Sequence, residues 1–449
     1  MRKLAFVLAL LLAVGMAAAQ TQVRWFVGLG AGSDEPQIAP QQAIVDAYNA
    51  SQSDIRLVLE IVDNELAYDI FATQIAAGNA PDIVGPIGIR GRADFPNAWR
   101  DLSGLIAAAD YDLSDFDPAL VDFYKIEGEG QIGLPFAVFP SFISYNVALF
   151  DEAGAAYPPS RYGEPYVNAD GEELPWNTDT LRDLAMFLTV DANGNDATMD
   201  AFDPERIVQF GYNNIFTDLR GVLTLFGAGN FVDADGNAVI PEHWATGAQW
   251  IHDAMWKDHF YPNGPYIASD ILTWSPFQSG NLAMAHTHLW YQTCCMFDLQ
   301  DEWAVAAVPA APDGNVTAKL HADTFVITAA SRNPEAAFDV MTYLFSPEIS
   351  QRLVNIYGGI PARLSLQDDA LELLFAEFYP DRDIDTTVIA DSLSFPDNPN
   401  HEEGMPANRE AQALYGAFWQ RLENTANFDV AGELAILQAE LQLLFDGAR

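Results

Sequence analysis

Cysteine is almost missing from this chain: 449 residues hold two, Cys294 and Cys295, side by side. Any intramolecular disulfide must therefore join those two neighbours. Basic residues are scarce as well. Against 63 Asp and Glu stand only 21 Lys and Arg, a formal net charge of −42. Such a surface repels phosphate backbones, which excludes nucleic acid and anionic membranes as partners and disfavours a strongly anionic ligand. The sequence has no G-x-S-x-G elbow, no Walker lysine loop and no H-E-x-x-H, so three common catalytic devices are absent.

What is present begins with "MRKLAFVLALLLAVGMAAA": Arg2 and Lys3, an apolar run, then Ala17-Ala18-Ala19. A signal peptide over residues 1–19, cleaved before Gln20, is the expectation. The run is too short for a membrane helix, and no cysteine stands at the cleavage point to carry a lipid. The mature chain is expected to be periplasmic or extracellular, with a formal charge of −44 once Arg2 and Lys3 are gone. Thiols there tend to be oxidised. Roughly 430 mature residues exceed one comfortable core, so two lobes are expected. Apolar residues make up 50% and aromatics 12%, which excludes a disordered acidic tail.

"VRWFVGLGAGSDEPQIAPQQAIVDAYNASQSDIRLVLEIV" reads as strand, glycine loop, helix, strand. An amphipathic helix ending at Gly78-Asn79 and a buried strand at Ile83–Val84 follow. This alternation implies an α/β fold with a mostly parallel sheet, whose ligands bind beyond the carboxyl ends of strands. Pro135 and Pro140 bracket an extended aromatic stretch, and "EWAVAAVPAAPDG" is a second extended crossing. "NADGEEL" and "DADGNAV" are hairpin-like insertions with Asp-Gly turns. The last third is helical, with Asn333-Pro334 and Ser346-Pro347 as helix starts. Val430, Leu434, Leu437, Leu441 and Leu444 mark an amphipathic closing helix.

Gly28, Gly30 and Gly32 give G-x-G-x-G with Ser33 next, which misses the spacing of a dinucleotide loop. His286 and His288 share one face of a strand and could offer two zinc ligands, or simply hydrogen-bond their neighbours. Asp191, Asn193 and Asn195, with Asp200 following, resemble the start of a calcium loop. Asp196 stands where such loops carry glycine, and no Glu stands at the twelfth position. A structural calcium and an acidic turn both remain open readings.

Several stretches in order, "FATQIAAGNAPDIV", "GEGQIGLPFAVFPSFISYNVALFDEAG", "PWNTDTLRDLAMFLT", "FQSGNLAMAHTHLW", "HADTFVITAASRNPEAAFDVMTYLFSPEISQRL" and "YGGIPAR", resemble the sugar-binding extracellular solute-binding proteins of ABC importers. They span nearly the whole mature chain. "HADTFVI", where such proteins often carry glycines, and the Cys-Cys pair depart from the pattern. The resemblance implies the type II periplasmic-binding-protein fold, two α/β lobes around a cleft that close by hinge motion. It implies a first lobe of residues 20–138 and 309–360, and a second of residues 139–308 and 361–449. Crossings would fall at about 134–141 and 306–312. A carbohydrate ligand, an ABC permease as partner, a monomer, no catalysis and no required cofactor go with it. A secreted glycoside-active enzyme and a receptor for a non-sugar polar solute are the competing readings.

A sugar has an apolar face and a rim of hydroxyls, so its pocket needs flat platforms and polar partners. By position the candidates are Asp34, Glu35 and Asp82 at strand ends of the first lobe, and Asp218 and Arg220 after a strand of the second. Trp274, His288 and Trp290 flank the "SGNLAM" unit. Asp323, Thr324 and Phe325 lie where the chain re-enters the first lobe, and Tyr357 and Arg363 flank the "GGIP" turn. Cys294 and Cys295 follow Trp290. A trans peptide holds adjacent Cα atoms about 3.8 Å apart, below the usual disulfide range. A vicinal disulfide is nonetheless the expectation, a compact sulfur surface for a sugar's carbon face. Two buried free thiols are the alternative.

Overall fold

The computed structural model describes residues 20–126 and 128–448; the expected signal peptide, residues 1–19, lies outside the described residues. Strands β1 (Thr21–Val27), β2 (Ile55–Ile61) and β3 (Ile83–Ile87) pair in parallel, with β1 in the middle. The helices Glu35–Ser51 and Asn64–Ala76 link them. Each helix starts on an aspartate: Asp34 forms a capping box with Gln37, and Asp63 accepts from the Glu65 N–H. These side chains satisfy N–H groups that the first helical turn leaves unpaired.

β4 (Gly133–Asn146) decides the architecture. Its fourteen residues, GLPFAVFPSFISYN, carry no charge and are all buried. Uninterrupted burial suits a strand covered on both faces. β4 belongs to both halves of the molecule. Residues 133–140 pair antiparallel with β8 (Leu320–Ile327), which also pairs with β3. Residues 141–146 pair with β6 (Leu282–His288) and with β7 (Trp303–Ala306). β5 (Ile207–Asn214) lies parallel to β6 on its far side.

The return path differs from the expected crossing at about 306–312. Ala307 donates to Pro159 O and Ala310 to Trp176 O, so this segment stays beside the second-half elements. The chain comes back only where Ser141 N–H meets Lys319 O and Leu320 pairs with Pro140. The closing residues are also less one-sided than expected. Arg363 is bound to Asp115 and Tyr111 of the first half, and Asn408 and Gln412 of the helix Asn408–Asn424 donate to Asp94. The closing helix Val430–Ala448 buries Val430, Leu434, Leu437, Leu441 and Phe445, while Leu444 is half-buried. Among the described residues, no helix is long and apolar enough to cross a membrane.

Candidate functional site

The carboxyl ends of β1, β2 and β3 open onto a cavity of about 400 Å³, faced on the other side by loops that follow β5 and β6. That size lies within the usual range for small-molecule sites. The first wall is polar. Gly30, Ala31 and Ser33 line it after β1, Asp63, Asn64 and Glu65 after β2, and Gly88 and Arg90 after β3. The glycine loop has a steric purpose. A Cβ on Gly30 would come within 2.8 Å of Pro86 O, and Gly32 has φ +112°, so the loop folds down tightly beside the cavity.

The opposite wall is aromatic. Phe216, Trp274 and Trp290 line the cavity together with the Cys294–Cys295 bridge. Phe216 and Trp290 lie with centroids 6.2 Å apart and planes 24° from parallel; Trp274 lies 5.5 Å from Phe216. Trp274 touches Phe216 yet is 67% exposed, a large apolar surface open at the cavity. Phe216 and Thr273 sit at φ +50° and +51°, a left-handed backbone that costs a non-glycine residue about 1–2 kcal/mol. The surrounding packing therefore forces both aromatic loops into place.

The cysteine bridge is real in this structure: the bond joins neighbours whose Cα atoms are 3.7 Å apart. Their peptide is trans, the cis bonds among the described residues being Gly85–Pro86 and Asn398–Pro399. Local anchors hold the bridge at the cavity. Cys295 N–H donates to Tyr291 O at 3.1 Å, the Ser275 hydroxyl bonds both Tyr291 Oη and Cys295 O, and Tyr379 Oη donates to Gln292 O at 2.6 Å.

Five carboxylates, Asp34, Asp63, Glu65, Asp323 and Glu402, line the cavity, against one guanidinium, Arg90. Burial first, and then the charge of Glu402, push the Asp323 carboxyl up to about 8, although the Ala31 N–H works the other way. Burial and the neighbouring Asp63 raise Asp34 too. Burial opposes the charge of Arg90, but Tyr68, Asp94 and Glu402 hold it above the ordinary arginine range. Its guanidinium lies over the Tyr68 ring, 4.8 Å from the centroid. A cavity so rich in acceptors suits a ligand that brings donors.

Asp34, Trp274, Trp290, Cys294, Cys295 and Asp323 meet in this cavity. The other candidates have different work. Glu35 is the exposed first residue of its helix. Asp82 accepts from Arg24 N–H and from the Ser331 hydroxyl, tying the start of β3 to its neighbours. Asp218 caps the helix Leu219–Leu223 and accepts from Tyr415 Oη at 2.6 Å. Burial would raise its pKa, but Arg220, His401 and these donors hold it low. It lines a separate cavity of about 360 Å³ that shares Tyr68 and Arg90 with the first. Arg220 is buried and binds Asn230 and Glu403 O.

Thr324 donates to Leu134 O, and Phe325 packs among Trp25, Phe136 and Phe345. Tyr357 donates to Gln41 beneath the glycine loop. Arg363 spans Phe345 O, Asp115 and Tyr111. His288 is buried behind His321, the ring centroids 3.6 Å apart. The Asp191 loop closes on itself: Asp191 accepts from the N–H groups of Asn193, Asn195 and Asp203, with Asn195 Nδ2 at 3.1 Å. A calcium ion would have to displace those donors, and Asp200 is exposed nearby.

Sequence reasoning missed Arg90, Phe216, His321 and Glu402. The departure of "HADTFVI" from the family pattern is the available signal for His321. Phe216 sits just after "YNNI", at a strand end where ligand loops belong.

Comparison with known proteins agrees with this layout. A family model described as bacterial extracellular solute-binding protein matches residues 43–372. A protein of Brucella abortus (strain 2308), named as a binding protein, is 23% identical over 331 residues, covering 71% of this chain and 72% of its own. Among solved structures, an ABC substrate-binding protein from Listeria monocytogenes in complex with cycloalternan aligns with TM-score 0.74 and 17% identity, over 94% of this chain and 98% of that one. A Mycobacterium tuberculosis protein in complex with glycerophosphocholine aligns with TM-score 0.71 and 15% identity, over 95% and 99%.

Proposed function

The chain belongs to the bacterial extracellular solute-binding proteins, and from that premise we propose that it captures a mono- or short oligosaccharide in its interlobe cleft for an ABC importer. One observation carries this reading: a single cavity sets aromatic and disulfide faces opposite a rim of carboxylates and one guanidinium. Pyranose rings offer a carbon face to the first and hydroxyl donors to the second. A non-acidic polyol also suits the surplus of carboxylates.

The protein acts as a monomer outside the cytoplasm. We place the outward lobe boundary within Phe139–Ser141 and the return at Lys319–Leu320, where the partners of β4 change. Rotation about these crossings closes the lobes on the sugar. The closed form docks on the permease, and the solute leaves chemically unchanged.

A second reading has an observation of its own. Three aromatic rings beside Asp34, Asp63, Glu65 and Glu402 also form a site for an organic cation. The glycerophosphocholine complex of the M. tuberculosis relative shows that this fold accepts a ligand with such a group.

Titration calorimetry against mono- and oligosaccharides, with choline and betaine included, separates the readings. Saturable sugar binding without product formation supports the proposal. Binding confined to the cations favours the second reading, and release of cleaved sugar would make the protein an enzyme.

A further inference from the structure

The glycine that follows β3 leaves an open space at the cavity. A Cβ on Gly88 would stand 3.5 Å from Asp323 Oδ1 and 3.5 Å from Glu402 Oε2, and all three residues line the cavity. Two carboxylates from distant parts of the chain, one in β8 and one in the loop before the helix Asn408–Asn424, thus flank a single spot. The Gly88 backbone is extended at φ −72°, a conformation open to any residue. What the missing side chain provides here is room.

The two carboxylates face each other with no cation between them. Burial first, and then the charge of Glu402, hold a proton on Asp323. That residue is 5% exposed, and among the described residues the Ala31 N–H is the donor that reaches it. Glu402 Oε1 lies 3.7 Å from His321 Nε2, beyond hydrogen-bond distance. Burial is the main cause that brings His321 down to about 4, so the ring beside Glu402 is neutral at neutral pH.

Side-chain N–H groups along the cavity are engaged inside the protein. Gln37 Nε2 donates to Ile356 O, Asn64 Nδ2 to Gly28 O and Trp290 Nε1 to His321 Nδ1. A sugar hydroxyl accepts as well as donates, so it corrects this surplus of acceptors only in part. An ammonium group brings three N–H donors, a positive charge and no acceptor.

We propose that the space above Gly88, between Asp323 and Glu402, seats the ammonium group of an amino sugar whose carbon face lies on the aromatic wall. The inference rests on carbohydrate capture in this cavity and names the class of carbohydrate. A quaternary cation has no N–H to give the two carboxylates. An amino acid would set its own carboxylate among Asp34, Asp63 and Glu65. Arg90, which also faces Glu402, is the adverse charge, and Asp94 at 3.7 Å takes up part of it. A cation beside a carboxylate favours its charged form, so the incoming ammonium displaces the Asp323 proton to solvent. The other titratable groups facing Asp323 are Tyr68, Tyr124 and Tyr357, which burial holds neutral.

The test is calorimetry on the full mature chain in about 0.15 M salt, where attraction to the acidic surface is screened. Glucosamine, galactosamine and mannosamine are each compared with the N-acetyl form and the parent sugar. At least one amine is expected to bind about tenfold or more tightly than both neutral counterparts. At about pH 6, where such amines carry their charge, it should also release a proton, read from buffers of different ionisation enthalpy. Gly88→Ala, whose methyl fills the seat at ordinary contact distance, is expected to erase both effects. Equal affinity within every trio, or a preference that survives Gly88→Ala, overturns the seat, while tight binding of a neutral sugar leaves carbohydrate capture standing. Putrescine bound as tightly as every amino sugar would overturn the assignment to a sugar. Should Gly88→Ala fail to fold, Glu402→Gln decides: loss of the amine preference supports the seat and its retention sinks it. No saturable binding of any sugar overturns both readings together.

Discussion

The two walls of the cleft are built on opposite principles. The first wall takes its groups from strand ends and helix starts, where Asp34 and Asp63 serve their own helices as caps while their carboxylates reach the cavity. The second takes them from irregular loops, with Phe216 and Thr273 in left-handed backbone and a ring of two neighbouring cysteines. The first is rigid because the fold needs it so. The second is rigid because aromatic packing, the Ser275 bonds and the disulfide lock it. A wall of acceptors distinguishes hydroxyl patterns, whereas a wall of rings and sulfur grips any carbon face. The contrast assigns selectivity to one side and affinity to the other.

That division can be broken, most forcefully at Trp290. Removing a stacking indole forfeits roughly 1.5 kcal/mol or more, so Trp290→Ala should weaken every bound sugar at least tenfold and nearly alike, measured by calorimetry. Exposed Glu35→Ala should leave affinity unchanged. A loss confined to one sugar would move selectivity to the aromatic wall. Asp34→Asn exchanges a charged acceptor for a neutral one, worth about 1 kcal/mol. It should change the affinity ratio between two epimeric sugars by about fivefold, and an equal loss for both would undo the assignment. The smallest loss among the cavity-lining groups belongs to the bridge. Cys294→Ser with Cys295→Ser should cost about threefold in affinity, because neighbouring groups still hold the loop while the sulfur face is lost.

Much of this was legible in the sequence. The uncharged run of β4 between Pro135 and the Asn146 cap announced a buried crossing. The lone cysteine pair in an exported chain announced its own bridge. Individual site residues were harder, for a physical reason. Asp82, Asp218 and Asp34 all stand at strand or helix boundaries, where a carboxylate that caps and one that binds read the same. Only the tertiary packing sends Asp218 to Tyr415 and Asp34 to the cavity. His321, Arg90 and Glu402 come together from three separated segments, so neither spacing nor periodicity could join them.

The shared strand has a consequence for how the molecule comes apart. On one side of Pro140 the backbone of β4 is held by β8, and on the other by β6 and β7. Neither half can melt without stripping ladder partners from a strand that continues into the other. The two halves are thereby one cooperative folding unit, and local openings belong to the outer strands and helices rather than to the seam.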